Sequence, residues 1–447
     1  MANSGETTIL IKRPINLLSL NYSDANGGAA RAVYRIHQSM VCNESQLHIN
    51  AKLLVREKLT EDNTVVEYMN RNFIVRRKLG SGLSSILKVG FSSENYNLRT
   101  LAWPSTGIAK KLNADFKRGL VDLVQLNWLG FGTISIEEIG SLRMPLVWCL
   151  QDQWPFLGSE HYEMPMHLKR NESHYEPRYL SGYTRNNRPS FEKGLDLDKW
   201  TWQRKKKAWK KKIHLIVPSR WMAECVQKSK LMESWPVNII PAPIDTDFWS
   251  PGNKQDARKK LGLPRDIRCI LLSSEGGLSK PRKGGSQLLE ALDEFNSSQV
   301  EKKNHVSLIV TGNRVANQNP SKLTEIIYMG EISDDLNLRT LYRAADIVAI
   351  PSLQDNFPNT GLEAQACGKP VIGFKVGGLP DLVADKETGF LVSPFNTKEL
   401  SLGISWLFES AERFRDLESK ARTRAINLWN PIKVATQFRA VYDAILS

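Results

Sequence analysis

Two carboxylates, Asp355 and Glu363, stand with seven residues between them in the stretch from Ser352 to Phe374, SLQDNFPNTGLEAQACGKPVIGF. The gap holds a proline, two asparagines and a glycine. Carboxylates around such a turn can accept hydrogen bonds from sugar hydroxyls. If the turn opens a helix, its free N–H groups and positive dipole end suit phosphate oxygens. The preceding DIVAIPS is β-branched and apolar and predicts a buried strand. A helix is predicted from Asn359 or Thr360 to Gly368, with Pro370 beyond it as a stop signal. Asp355 then sits in the loop and Glu363 at the end of the first helical turn, both able to face a ligand at the strand's carboxyl end. Thr360 and Glu363 also have capping-box spacing, so Glu363 has a purely local alternative, a bond to its own helix backbone.

Four other pieces carry related chemistry. NGGAAR, Asn26 to Arg31, places glycines after a strand and before a helix, where the backbone can approach a phosphate; a plain turn is the alternative. KPRKGG, Lys280 to Gly285, offers Lys283 to neutralise a pyrophosphate, against a solvated basic turn. LQDQWPFLGSEHY, Leu150 to Tyr162, gathers polar and aromatic groups after the strand LVWCL, with core packing of Trp154 and Phe156 as the alternative. VPSRWMAECVQKS followed by IIPAPIDTDFWSP reads as a strand-helix-strand run.

These pieces need elements to position them. The chain has 447 residues, too many for one core, so two domains are expected. Strands are predicted at INLLSL, DLVQLNW, LVWCL, IHLIVPS and VNIIPAP, then at IRCILLSS, VSLIVTG, EIIYMG, DIVAIPS and PVIGF, with helical text between several of them. Short apolar strands alternating with helices predict parallel α/β units, here two doubly wound domains facing across a cleft. Ligands of such sheets bind beyond the carboxyl ends of the strands. The Pro-, Gly- and charge-rich Ser250 to Pro264 is the expected linker. Glu163 to Lys199 reads as an irregular insertion over the cleft or the acceptor side.

Composition narrows the class. A formal net charge of +14 favours anionic partners. The five cysteines are scattered with no Cys-x-x-Cys pair, which argues against a disulfide framework or zinc site and for a reducing compartment. No basic n-region with an apolar h-region opens the chain, and no apolar run reaches the roughly 18 residues of a membrane span. A cytoplasmic protein, free or peripherally attached, is expected.

Together these motifs resemble the family 4 glycosyltransferases, over nearly the whole chain. VPSRW, IDTDFW, RKG, EAQACGKPVIGF, GGLPDLV and TGFLV stand in the family's order. DNFPNTGLE and WPFLGSEHY look like the branch that builds surface polysaccharides. The resemblance implies the GT-B fold, with residues 1–250 as the acceptor-side domain, 251–430 as the nucleotide-sugar domain, and a closing helix 431–447 packing back on the first. It implies retaining transfer of a sugar, of hexosyltransferase type, from a nucleotide diphosphate sugar to a hydroxyl acceptor, with no metal and no other cofactor. The setting implied is bacterial surface polysaccharide synthesis, with a glycan or lipid-linked glycan as acceptor.

Residue by residue, the resemblance gives Lys283 the pyrophosphate, Glu363 the ribose hydroxyls and Asp355 the donor sugar hydroxyls. Asn359 and Thr360 offer backbone N–H groups to the phosphates, and Gly27 and Gly28 line them from the other domain. Gln151 is expected at the donor sugar and Asp152 among the substrate-binding residues, with Arg282 or Lys280 as stand-ins for a missing phosphate contact. Three departures stand out. Gln151 replaces a histidine and cannot carry a proton charge. Gly277 stands where many members have a second phosphate-binding arginine. Asp355 is one methylene shorter than the usual glutamate. The first two leave open a catalytically degenerate nucleotide-sugar-binding subunit. An epimerase of the same fold is the other alternative, and Gln151 argues against it.

Between Arg204 and Lys212, RKKKAWKKK holds seven basic residues in nine. With Asp198 as N-cap, Trp202, Trp209 and Ile213 would share one helical face. Residues 198–213 therefore offer an amphipathic element for an anionic membrane surface, against a solvated helix whose tryptophans pack on their own domain. No nucleic-acid recognition motif is present.

Overall fold

The computed structural model describes residues 13–68, 98–163, 176–190, 192, 194–274, 276–298, 305–312, 321, 323–332 and 334–447. Two parallel sheets account for the strands. The first holds β1 (Ile15–Ser23), β2 (Ile49–Glu57), β3 (Val65–Glu67), β4 (Leu123–Leu126), β5 (Leu146–Cys149), β6 (His214–Val217) and β7 (Val237–Ile239), in the order β3-β2-β1-β4-β5-β6-β7. The second holds β8 (Arg268–Leu272), β9 (Val306–Val310), β10 (Ile326–Tyr328), β11 (Ile347–Ile350), β12 (Val371–Phe374) and β13 (Gly389–Val392), in the order β10-β9-β8-β11-β12-β13. In both, strand order reverses beside the first strand, which opens a crevice at the carboxyl ends.

Central strands are mostly apolar because helices cover both sheet faces. β4, β9, β11 and β12 are buried at every residue. One face of the first sheet packs on helices Ile108–Lys117 and Arg220–Lys228. The other packs on helix Gly28–Val41 and on the chain's closing helix, Pro431–Leu446, through Ile36, Met40, Val434, Phe438 and Tyr442. The Tyr442 hydroxyl donates to Gln125 of β4 at 2.6 Å, so the last helix is stitched to the first domain.

The structure differs from the sequence reading in several places. β2, β3 and β13 were not among the expected strands. β2 reads INAKLLVRE, where Lys52 and Arg56 interrupt the apolar run that marks its neighbours. Ser250 to Pro264 is not a loose connector. It contains helix Lys254–Lys260, capped by Asn253, and its Arg258 is buried against Ala344 and Asp346. In the region read as an insertion, 164–175, 191 and 193 lie outside the described residues. Tyr179 and Tyr183 of the remainder are buried in the first domain's core.

The basic helix runs Leu197–Ala208, and its N-cap is Asp196, which accepts from the N–H of Lys199. Asp198 is instead buried and paired with Arg99. Trp202 and Trp209 face inward and are buried, and Lys205 is buried with its ammonium on the carbonyls of Trp154, Leu157 and Gly158. The apolar face meant for a bilayer is thus spent on the protein's own core. Among the described residues no helix is long and apolar enough to cross a membrane. All five cysteines are unpaired.

Candidate functional site

The loop after β11 leads into helix Asn359–Ala366, whose N-cap is Pro358 and whose first turn has no side-chain cap. Pro358 fixes the entry but cannot accept a side-chain cap, so the helix start keeps its dipole and N–H groups for another acceptor. The capping-box alternative for Glu363 fails on this geometry. The Thr360 hydroxyl donates to Ser273 O at 3.0 Å, and the Glu363 carboxylate is engaged elsewhere. Arg35 of the Gly28–Val41 helix donates to Glu363 Oε1 at 2.5 Å and Arg31 lies at 3.4 Å. The Tyr342 hydroxyl donates to Oε2 at 2.7 Å. Burial together with the Glu363 carboxylate pushes the Tyr342 hydroxyl well above its usual value, so it stays a donor.

Asp355 pairs with Lys283, 2.7 Å from Nζ to Oδ2. The Ser352 hydroxyl donates to the same oxygen at 3.2 Å, and Arg282 lies 3.8 Å from it. Among the described residues the hydrogen bonds to this carboxylate all fall on Oδ2, which leaves Oδ1 for a ligand hydroxyl. Burial would raise the Asp355 pKa, but Lys283 and Arg282 outweigh it and hold the group below the usual carboxylate value. Burial pulls Lys283 down despite Asp355. The two loops approach so closely that a side chain at Gly284, which has φ +69°, would strike the carbonyl of Pro351. Gly284 is therefore what allows Lys283 to reach Asp355.

Gly277 has φ +54°, and a Cβ there would meet the carbonyl of Thr311 at 3.0 Å. An arginine at that place would be strained and crowded, so the second phosphate contact of the resemblance has no seat there. Arg282 lies nearer. It donates to Gln354 O at 2.8 Å and stacks on the Tyr162 ring at 4.3 Å.

The first domain meets this site across the cleft. The Asn359 side chain donates to Gly28 O at 2.7 Å. Asn356 donates to Gln151 O at 3.2 Å and accepts from the Ser219 hydroxyl at 3.0 Å. The cleft thus gathers Gly27, Gly28, Gln151, Arg282, Lys283, Asp355, Asn359, Thr360 and Glu363. Asp152 is near but committed: Trp128 Nε1 donates to Oδ2 at 2.6 Å, His161 Nδ1 lies 2.5 Å from the same oxygen, and the N–H of Trp154 donates to Oδ1 at 3.0 Å. The structure gives Asp152 a scaffold role. Trp154 and Phe156 are both core residues.

Sequence reasoning missed Arg35 and Tyr342 and did not use Arg31. Arg31 and Arg35 stand four apart just beyond the Gly-Gly loop, a helical-face signal that was available. Tyr342 carried no signal, because only the fold brings it to Glu363. Among the described residues no group of three or more His, Cys, Asp or Glu is placed to hold a metal ion.

Known proteins resemble the chain in sequence and in fold. Residues 271–410 match the family described as Glycosyl transferases group 1. The chain is 29% identical over 212 residues to D-inositol 3-phosphate glycosyltransferase 2 of Catenulispora acidiphila, covering 45% of this chain and 49% of that one. It is 32% identical over 189 residues to the D-inositol 3-phosphate glycosyltransferase of Segniliparus rotundus, covering 40% of each. The chain spans half or less of the length of these curated relatives. Among solved structures, sucrose-phosphate synthase from Thermosynechococcus elongatus superposes with a TM-score of 0.64 at 17% identity, over 97% of this chain and 99% of that one. Anabaena HepE in complex with UDP-glucose gives 0.62 at 17% identity, over 96% and 100%. The fold is GT-B, and residues 271–410 carry the sequence of a glycosyl transferases group 1 domain.

Proposed function

We propose that this protein is a retaining glycosyltransferase that moves a sugar from a nucleotide diphosphate sugar to a hydroxyl acceptor without a metal ion. The observation that carries the reading is the Lys283–Asp355 pair beside the uncapped start of helix Asn359–Ala366. A cation and a helix N-terminus at one strand end suit a departing pyrophosphate, and fixed charges there act most strongly where charge develops. Asp355 Oδ1 holds a donor sugar hydroxyl, and Glu363, oriented by Arg35 and Tyr342, takes the ribose through the second lone pair of Oε2, which Tyr342 alone engages among the described residues.

In the transfer, the bond from the anomeric carbon to the phosphate oxygen breaks and a bond to the acceptor oxygen forms on the same face. The leaving oxygen takes the acceptor proton, so no separate side-chain base is required. A uridine diphosphate sugar is the first donor to test, since HepE binds UDP-glucose. The acceptor class is a surface glycan or lipid-linked glycan. The names of the curated relatives add an inositol phosphate as a second acceptor to test.

The reading sets a cytoplasmic enzyme against an anionic inner membrane face through Lys206, Lys207, Lys210, Lys211 and Lys212, all exposed. Its aromatic anchors are Trp103 and Trp200, 38% and 37% exposed and edge-to-face at 6.4 Å, rather than the buried Trp202 and Trp209. Sedimentation with phosphatidylglycerol vesicles and not with phosphatidylcholine vesicles is the expected result.

NMR of the product tests the chemistry. The reading predicts that the anomeric configuration of the donor is kept and that chelator leaves turnover unchanged. An inverted product, or donor bound with no turnover in the presence of either acceptor class, contradicts it.

A further inference from the structure

At the carboxyl edge of the first sheet, the end of β1 and the loop after β4 meet. There Tyr22, Trp128 and Phe131 form a cluster of three tilted rings, with centroids 5.9 Å apart for Tyr22–Trp128, 4.9 Å for Tyr22–Phe131 and 5.4 Å for Trp128–Phe131. The cluster is held firmly from beneath. Trp128 donates from its backbone N–H to Asn21 at 2.9 Å and from Nε1 to the buried Asp152 at 2.6 Å. Its ring lies over Gly130, where a Cβ would fall 2.3 Å from the ring. Arg56 donates to the carbonyl of Gly132 at 2.5 Å and pins the far end of the loop.

Phe131 is 55% exposed, although it is a large apolar ring. Its backbone has φ +50°, a region that bulky residues avoid. Strain of this kind persists where the surroundings impose it and gathers at ligand clamps. The fold therefore spends an unfavourable backbone state on presenting an aromatic ring to solvent. Next in the chain to Arg56, Glu57 accepts from the exposed Asn26 side chain at 3.1 Å, a planar amide and a carboxylate on the loop-facing end of β2. The cluster is tied to the cleft: Trp128 donates to Asp152, and the carbonyl of the adjacent Gln151 accepts from Asn356 of the other domain.

We infer that Tyr22, Trp128 and Phe131 form a stacking subsite for the ring of the acceptor, a pyranose or cyclitol. Such a ring has an apolar C–H face that lies on the negative face of an aromatic ring, while its edge hydroxyls reach amide and carboxylate groups. Stacking from the first domain would turn one hydroxyl toward the donor held in the second. This inference rests on the proposed transferase reading, and its test separates the two.

Saturation-transfer NMR on the full chain would use methyl β-D-glucopyranoside, methyl α-D-mannopyranoside and D-inositol 3-phosphate as probes. Each would be added with whichever of UDP, GDP, ADP and CDP binds best. The expected result is saturation of the ring C–H protons of at least one probe. Phe131→Gly should weaken that probe at least tenfold while nucleotide affinity holds and the melting temperature is unchanged or higher, because glycine accepts the left-handed backbone. Phe131→Tyr should retain binding. The inference is overturned if nucleotide binds but no probe is saturated, or if Phe131→Gly binds the probe as well as the parent chain. A variant that loses concentration-dependent self-association instead of probe binding assigns the rings to a contact between copies, which also overturns it. Absence of any nucleotide binding would instead sink the transferase reading.

Discussion

Each domain places an acid–base pair just beyond a central strand. In the second domain Asp355 meets Lys283 at 2.7 Å, beyond β11. In the first, Asp152 meets His161 at 2.5 Å, beyond β5. Both carboxylates are buried, yet the pairs do different things. Asp152 has both oxygens taken by its own domain, and its histidine is fixed by the Thr100 hydroxyl at 2.7 Å and stacked on Trp154. Among the described residues Asp355 keeps one oxygen free, and it stands beside an uncapped helix start. The same residue types at the same topological place make a scaffold or a site according to which lone pairs the fold has already used.

Substitution should separate the two pairs. Lys283→Ala removes the cation facing the leaving group, and turnover should fall by about 10²–10³-fold, the scale of a lost transition-state contact. Its melting temperature should fall as well, because the buried Asp355 loses its ion-pair partner, so turnover is counted per folded molecule. Asp152→Ala should cost stability alone. It orphans the donors of Trp128 and His161, and about 1–3 kcal/mol of stability should go for a buried group left unpaired. Denaturant titration measures that loss, and turnover per folded molecule at saturating acceptor should change little. If the two variants exchanged phenotypes, the distinction would be broken.

Within the site the two acids are held differently. Glu363 is held by a cation from the opposite domain and Asp355 by one from its own. Glu363→Gln keeps an acceptor for Tyr342 but drops the charge facing Arg31 and Arg35. Nucleotide affinity should fall about tenfold, near 1.4 kcal/mol, measured by calorimetry. An unchanged affinity would mean that Glu363 serves only to bridge the domains.

The smallest effect expected is an absence of titration. The Asp355 pKa is depressed in the folded state, so its charge stabilises the fold above its unfolded value of 3.8 and is lost only as pH falls through the lower folded value. Between about pH 5 and pH 8 its ionisation should therefore leave donor affinity flat. A step in affinity there that vanishes in Asp355→Asn would show the carboxylate to be less well compensated than the geometry indicates.

Much of this site was legible in the sequence, for physical reasons. The strand before Asp355 is apolar because it is covered on both faces, and Gly and Pro punctuate the helix after it. Loop residues such as Lys283 and Asn359 were visible because short parallel strands bring their carboxyl ends together whatever the sequence between them. What was not legible depends on contacts between distant segments. Arg35 and Tyr342 reach Glu363 across separations of 328 and 21 residues; the spacing of Arg31 and Arg35 shows a shared helical face but not what it meets, and no local pattern marks Tyr342. Asp152 looked like a ligand because the tryptophan and histidine that consume it are set by packing. The basic helix misled for the same reason: spacing showed that Trp202 and Trp209 share a face, and only the tertiary fold shows that the face points inward.

Calorimetry with uridine, guanosine, adenosine and cytidine diphosphate sugars, with and without chelator, tests the central claim most directly. The account predicts tight binding of one donor, unchanged by chelator and largely lost in Lys283→Ala. Binding of none of the four, or binding that Lys283→Ala leaves intact, would contradict it.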